Sequence, residues 1–343
     1  MIKIKILNPF KGRNEPTFRP INIADQYLLW SDYSIQFTNS NDYDFLFIGM
    51  DDFINKKVPL QQSIDEGLEF LSNITGDYFL FDGSDSTSLM GAYEVFKESN
   101  AIFLFKNQLL KNREDYKTPT AFNKWFFGNN SDLDLGYDIP EDVWSRIKLS
   151  GYNLGNLLPD YHNHFSICEN KTIDVCAIYQ AYHKENYDHG ARNDIMYTNH
   201  RTGAWNTLDS ISSKYNIHRD KLLKEEYLGV LYNSKIALSP YGMGEVCFRD
   251  FELMQYGTLM LKPDMSRIKT YPNPYIENET YIPVKADWSD LNEKVEEILG
   301  NYNNFHYIIE NFRNTFKSLY TVDGVCMYWY DIFCKSDSVT SSV

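Results

Sequence analysis

What most limits the folds open to this 343-residue chain is an alternation of short apolar runs with amphipathic helical spacing, and the alternation occurs twice. In the first series, "IKIKIL" (2–7), "YSIQFT" (33–38), "DFLFIGM" (44–50), "DYFLFDG" (77–83) and "NAIFLF" (100–105) read as strands. Helical spacing separates them at 22–31, 60–74 and 86–99. Strands rich in aromatic and β-branched residues, alternating with helices, predict a parallel sheet covered on both faces. The pattern weakens over 108–165, a polar stretch punctuated by turns, which reads as a connection to a domain boundary. It then resumes with strands at 171–182, 235–242, 257–264 and 279–287 and helices at 204–216, 220–234, 245–256 and 288–301. The expected architecture is α/β, with two Rossmann-like domains and a cleft between them. The boundaries fall at 1–165, 166–310 and a helical segment with a frayed tail at 311–343. In such sheets ligands sit at the carboxyl ends of the strands.

Charge and cysteine usage exclude several classes. A formal net charge of −14 argues against a general nucleic-acid binder, because neutralising phosphates needs a basic surface. It leaves room for a local basic pocket. The five cysteines form no CxxC pair, and an odd count suits thiols in a reducing compartment better than a disulfide framework. No run approaches the roughly 20 apolar residues of a membrane span. The start, "MIKIKILNPF", alternates like a strand instead of forming a signal peptide. A soluble, cytoplasmic protein is expected, with no nucleic acid and no integral membrane segment.

One stretch, "LSPYGMGEVCFRDFELMQYGTLMLKPD" (238–264), carries charge among apolar neighbours. At about 100° per residue, Arg249 and Glu252 fall within about 40° of Glu245, so the three form one narrow stripe. The rest of the helix is apolar, as in a helix buried in a domain. Such a stripe is either a solvated face with two ion pairs or the lining of a site. The preceding loop favours a site. Ser239, Tyr241, Gly242 and Gly244 lie in a glycine loop between a strand and a helix N-terminus. Glycines let backbone approach a ligand, and helix N-termini attract phosphate. Arg249 is expected to pair with phosphate and a carboxylate to take a sugar or ribose diol.

This segment resembles the nucleotide-sugar segment of GT-B glycosyltransferases, the exostosin-like ones especially. In those a strand ends in Ser-x-x-Pro-x-Gly, Arg-x-x-Glu follows on a helix, and a Gly precedes an apolar strand. Here the pattern maps to Ser239, Pro240, Gly242, Arg249, Glu252 and Gly257, with Ser239 directly before Pro240 instead of three positions ahead of it. The spacing Glu245 to Glu252 is Glu-x6-Glu, one residue short of the Glu-x7-Glu of retaining GT-B enzymes. Upstream, "VCAIYQAYHKEN" and "HRTGAWNTL" are similar in layout to the family's first strand and following Arg-bearing helix. The resemblance implies a nucleotide-sugar donor in the C-terminal domain and a glycan or other hydroxyl acceptor on the N-terminal side.

Two other clusters bear on such a reaction. "FDGSDSTS" places Asp82 and Asp85 just past a strand end. They form either an Asp-Gly turn with a helix cap or the base that takes the acceptor hydroxyl proton. Their spacing is not that of an Asp-x-Asp metal motif. His183, His189, Arg192, His200 and Arg201 gather into a basic cluster, either a solvated loop or a group that neutralises a diphosphate, with Arg201 the first candidate for that role. With side chains and a helix N-terminus in that role, no metal cofactor is expected. A non-catalytic nucleotide- or carbohydrate-binding protein of the same fold, and another α/β enzyme on nucleotide sugars such as an epimerase, are the alternatives.

Overall fold

The computed structural model describes residues 2–7, 35–38, 40–50, 58–84, 86–118, 136–151, 165–180, 194–242 and 244–340. The chain divides into two compact α/β units. Unit one comprises Met1–Asn156, Lys269–Pro272 and Tyr320–Val343, and unit two comprises Leu157–Ile268 and Asn273–Leu319.

Among the described residues, unit one is built on a parallel sheet of six strands. They are β1 (Ile2–Leu7), β2 (Ile35–Phe37), β3 (Phe45–Gly49), β4 (Tyr78–Asp82), β5 (Phe103–Lys106) and β6 (Ile147–Leu149), in the order β2-β1-β3-β4-β5-β6. Helices α1 (Leu60–Ser72) and α2 (Ala92–Glu98) belong to its crossovers. β3 and β4 are buried along their whole length, as strands covered on both faces should be. Phe45, Phe47, Phe79, Phe81 and Phe105, spaced by two along their strands, share one face.

Unit two repeats the plan with five described strands. They are β7 (Ile173–Cys176), β8 (Ile217–His218), β9 (Ser234–Leu238), β10 (Leu259–Pro263) and β11 (Ile282–Val284), all parallel, in the order β8-β7-β9-β10-β11. Its helices are α3 (Asp194–Asp209), α4 (Lys224–Asn233), α5 (Phe248–Gln255), α6 (Leu291–Gly300) and α7 (His306–Leu319). Val175, Ala177, Ile236, Leu238, Leu259, Leu261, Ile282 and Val284 point from one face of the sheet into a core closed by Ala204 and Leu208 of α3 and Leu291, Val295 and Ile298 of α6. In both units the second strand lies outside the first and the third on its other side. The strand order therefore reverses between the first and third strands. That reversal opens a crevice at their carboxyl ends, where ligands of open α/β sheets bind.

Several elements differ from expectation. The terminal segment 311–343 is not a separate unit. Residues up to Leu319 finish α7 in unit two, whereas α8 (Val322–Thr340) places Cys326, Trp329 and Phe333 in the core of unit one. Trp329 lies 5.6 Å from Phe47 and 4.8 Å from Phe105, and its spacing to Cys326 and Phe333 is that of one helix face. The helix expected at 86–99 begins only at Ala92. Gly91 has φ 82°, and Glu94 turns back to accept the Gly91 N–H at 2.7 Å, a cap that fixes the start. The helix expected at 204–216 runs over Asp194–Asp209 instead, and Ile217–His218 adds a strand too short for its pattern to reveal. β6 lies inside the stretch read as a connection. The helix expected at 22–31 lies outside the described residues. All five cysteines are thiols, and among the described residues no helix is long and apolar enough to cross a membrane.

Candidate functional site

The crevice of unit two opens where β7 and β9 end. β7 continues into Ala177–Gln180 and β9 into Ser239–Gly242. Arg201, about two turns into α3, bridges the two ends. Its Nη1 donates to the Gln180 carbonyl at 2.8 Å and its Nε to the Tyr241 carbonyl at 2.9 Å. Its guanidinium lies 5.7 Å from the centre of the Tyr179 ring, and the Tyr179 hydroxyl donates to the Arg201 carbonyl at 3.1 Å. Arg201 thus joins the strand ends as well as bringing positive charge to the crevice.

A second guanidinium converges on the same ring. Arg249 of α5 lies 5.4 Å from the Tyr179 centroid. Its Nε is buried and finds no hydrogen-bond acceptor among the described residues. Burial works against its charge, but Tyr227, Cys247 and Glu252 beside it outweigh that effect and hold its pKa above the usual arginine value. A buried guanidinium nitrogen without an acceptor is costly, and an anionic ligand would satisfy it. Glu252, one turn further along α5, accepts the Tyr227 hydroxyl of α4 at 2.9 Å. Burial first, then the neighbouring carboxylate, push the Tyr227 phenol well above its ordinary range, against the pull of Arg249, so it stays a donor. Glu252 is half-buried.

Glu245 is not part of this stripe. α5 starts at Phe248, so Glu245 lies three residues before the helix, buried in the loop. The expected twelve-residue helix is cut short by its own cap. Asp250 accepts the Cys247 N–H at 3.1 Å and so sets the first turn. The same carboxylate accepts the Ser239 hydroxyl at 2.5 Å, the Tyr275 hydroxyl at 2.6 Å and the Lys262 ammonium at 3.1 Å. Asp250, Lys262 and Ser239 are all fully buried. An internal carboxylate therefore occupies the helix N-terminus that the sequence offered to phosphate. Ser239 faces Asp250, and the Tyr241 hydroxyl donates to the Asp264 carbonyl at 2.9 Å. Gly242 donates its N–H to the Gly244 carbonyl at 2.9 Å, closing the loop. A Cβ on Gly242 would stand 3.2 Å from Cys247 Sγ and 3.3 Å from Arg201 Nη2, so only glycine leaves that space open.

Of the residues singled out in the sequence, Arg201 and Arg249 converge on the Tyr179 ring, Gly242 lies beside Arg201, and Glu252 meets Tyr227, while Ser239, Tyr241, Gly244 and Glu245 belong to the loop after β9. Reading the sequence missed Tyr179, Tyr227, Asp250 and Lys262. Asp250 carried a local signal, since Cys247-x-x-Asp250 has the spacing of a capping box, but the other three act from distant elements.

In unit one, Asp82 ends β4 and is buried. It pairs with Lys106, its register partner on β5, at 2.8 Å, and accepts the Ser84 N–H at 2.9 Å. Lys106 also donates to the Ser84 hydroxyl at 2.7 Å. Asp85 lies outside the described residues, as do His183, His189 and Arg192. Among the described residues no three His, Cys, Asp or Glu side chains gather as metal ligands.

No family model and no curated protein sequence matches the chain. Solved structures resemble it at low identity. The Anabaena protein HepE in complex with UDP-glucose is 10% identical, with a TM-score of 0.48 over 98% of this chain and 100% of that one. A glycosyltransferase from Rickettsia africae is 12% identical, with a TM-score of 0.45 over 97% and 98%. A UDP-GlcNAc 2-epimerase from Neisseria meningitidis is 10% identical, with a TM-score of 0.42 over 98% and 100%. Likeness at this level assigns the chain no activity.

Proposed function

We propose that the chain is a glycosyltransferase of the GT-B type, taking its sugar from a nucleoside-diphosphate donor held in unit two. The observation that carries this reading is Arg249. Among the described residues its buried Nε finds no acceptor, and its guanidinium shares the Tyr179 ring with Arg201 at the point where the strand order reverses. A donor diphosphate supplies the missing acceptor, and Arg201 adds charge without a metal ion. Glu252, oriented by Tyr227, takes the ribose or sugar diol. The strand, glycine loop and helix around these residues form the segment similar to exostosin-like enzymes. The acceptor is a glycan or another hydroxyl compound, and Asp82 is the group assigned to take its proton. In that role Asp82 must loosen from Lys106 as the acceptor hydroxyl arrives. The reading includes a cytoplasmic location and a role in glycan assembly.

Calorimetry with UDP, GDP and ADP, followed by nucleotide release from the matching nucleotide sugars, tests it. The expected outcome is binding of one diphosphate, abolished in Arg249→Ala, and release that accelerates with an acceptor and survives EDTA. Binding without release in any donor–acceptor combination would leave a non-catalytic binding protein. Conversion of the bound nucleotide sugar to a stereoisomer would make it an epimerase. Activity lost to EDTA and restored by Mn²⁺ would overturn the metal-free assignment.

A further inference from the structure

Consecutive residues of α3 hold both backbone polar groups of Tyr241. The Tyr241 N–H donates to His200 Nε2 at 3.2 Å, while its carbonyl accepts from Arg201 Nε at 2.9 Å. His200 is itself fixed on several sides. Its ring lies between Tyr241, stacked at 5.4 Å and 20°, and Trp288 at 4.9 Å and 36°. Its backbone carbonyl accepts the Trp288 indole N–H at 2.7 Å, and the Ala286 carbonyl bonds its imidazole. Trp288 adopts φ 64°. The left-handed region is unfavourable for so bulky a residue and persists where the surroundings over-determine it.

We propose that His200 is a positioning residue of the anion site: its Nε2, acting as an acceptor, fixes the Tyr241 backbone by its N–H, and through that residue the carbonyl that holds the Arg201 guanidinium and the turn Pro240–Gly242. The proposal rests on the reading that Arg201 and Arg249 receive a diphosphate. An imidazole nitrogen accepts a hydrogen bond only when it carries no proton. Burial, aided by the Arg201 and Lys262 cations and opposed by the Ala286 carbonyl, pushes the His200 pKa down to about 4. The acceptor is therefore in place throughout the neutral range. Without it the Tyr241 backbone loses the hold on its N–H, and the carbonyl that accepts from Arg201 Nε is less firmly placed. The sequence grouped His200 with the phosphate-neutralising cluster, but a neutral ring wedged between two aromatics brings no positive charge.

Two substitutions separate the hydrogen bond from the packing. His200→Phe keeps a ring between Tyr241 and Trp288 and removes the acceptor. His200→Gln gives up the ring and carries an acceptor oxygen near the Nε2 position. UDP affinity by calorimetry and melting temperature are measured for both, with Arg249→Ala as the control. The expected result is about tenfold weaker UDP binding in His200→Phe, the effect of one hydrogen bond, with His200→Gln near the native affinity. Native affinity in His200→Phe, or equal losses in both variants at native melting temperature, overturns the proposal. If Arg249→Ala binds UDP as tightly as the native chain, the anion-site reading fails on separate grounds. A measurement on the native protein tests the hydrogen bond whether or not variants fold or UDP binds. Nitrogen NMR of deuterated protein near neutral pH should show His200 Nε2 without a proton and a scalar coupling across the Tyr241 N–H···Nε2 bond. A proton on Nε2 overturns the proposal outright.

Discussion

Each unit buries a lysine–aspartate pair at the carboxyl end of its sheet, and the two pairs serve different ends. In unit one Asp82 and Lys106 are register partners on adjacent strands, 2.8 Å apart, and the ammonium also holds Ser84. Nearby, Asn107 donates to the Gly83 carbonyl at 3.0 Å and accepts the Ser150 hydroxyl at 3.0 Å. The pair lies at the carboxyl ends of β4 and β5, and both side chains are buried. In unit two Lys262 reaches from β10 to Asp250 in the first turn of α5, behind the crevice. There it locks a helix, on which Arg249 lies over the Tyr179 ring and Glu252 accepts from Tyr227. The same chemistry is thus a candidate reactive group in one unit and a scaffold in the other, according to whether the carboxylate sits on a strand end or on a helix cap.

The comparison breaks most visibly at Asp82. If it is the base, Asp82→Asn should slow sugar transfer on the order of 10²–10⁴-fold while diphosphate affinity stays near native. Transfer at native rate with a lowered melting temperature would make Asp82 a partner of Lys106 and nothing more. Asp250→Ala should act on stability, at about 3–5 kcal/mol, because it strands a buried ammonium. It also strands the Ser239 and Tyr275 hydroxyls and the Cys247 N–H. Urea unfolding measures this, and a loss below about 1 kcal/mol would mean that the pair behaves like a surface one. Arg249→Ala comes next, with diphosphate binding weakened by about 2–4 kcal/mol and Arg249→Lys recovering only part, since the planar fork is gone. Unchanged affinity in a folded variant would remove Arg249 from the anion site.

Gly242→Ala should cost about 1–3 kcal/mol in stability or affinity, because its Cβ presses on Cys247 Sγ and Arg201 Nη2. A native-like variant would mean that both neighbours yield. The smallest effect concerns pH. Lys171 donates to the Tyr232 carbonyl at 2.8 Å and the Tyr256 carbonyl at 3.3 Å, at the carboxyl ends of α4 and α5. Burial lowers its pKa to about 8 from 10.5. The folded state therefore sheds this proton first. Stability should rise as pH climbs from about 8 toward the unfolded value and level off above it. The difference between native protein and Lys171→Met in urea unfolding across that window isolates the contribution, and identical slopes would remove it.

Much of the fold was legible because apolar period and turn residues are local properties. The strands around Phe45–Gly49, Tyr78–Asp82, Ser234–Leu238 and Leu259–Pro263 stood out as buried runs between breakers, and doubling the pattern predicted two parallel-sheet units. Element starts were less legible. Gly91 and Asp250 set them through caps, and a cap competes with a helical pattern that still reads as continuous on either side. β6 and β8 have three and two residues and carry too little period to detect.

At the site, the sequence by itself determined the carriers of charge. A glycine loop between a strand and a helix, with Arg249 and Glu252 one turn apart, needed no distant partner to be recognised. Tertiary structure decided which of the neighbouring polar residues face the crevice and which face inward. Asp250 lies one position from Arg249, yet it points to Lys262 and Tyr275, twelve and twenty-five residues away. Arg201 meets Gln180 and Tyr241 across twenty-one and forty residues. The physical reason is that burying a charge is unfavourable unless a partner is within reach. The partners come from other strands and helices, so their positions are fixed only when the sheet closes.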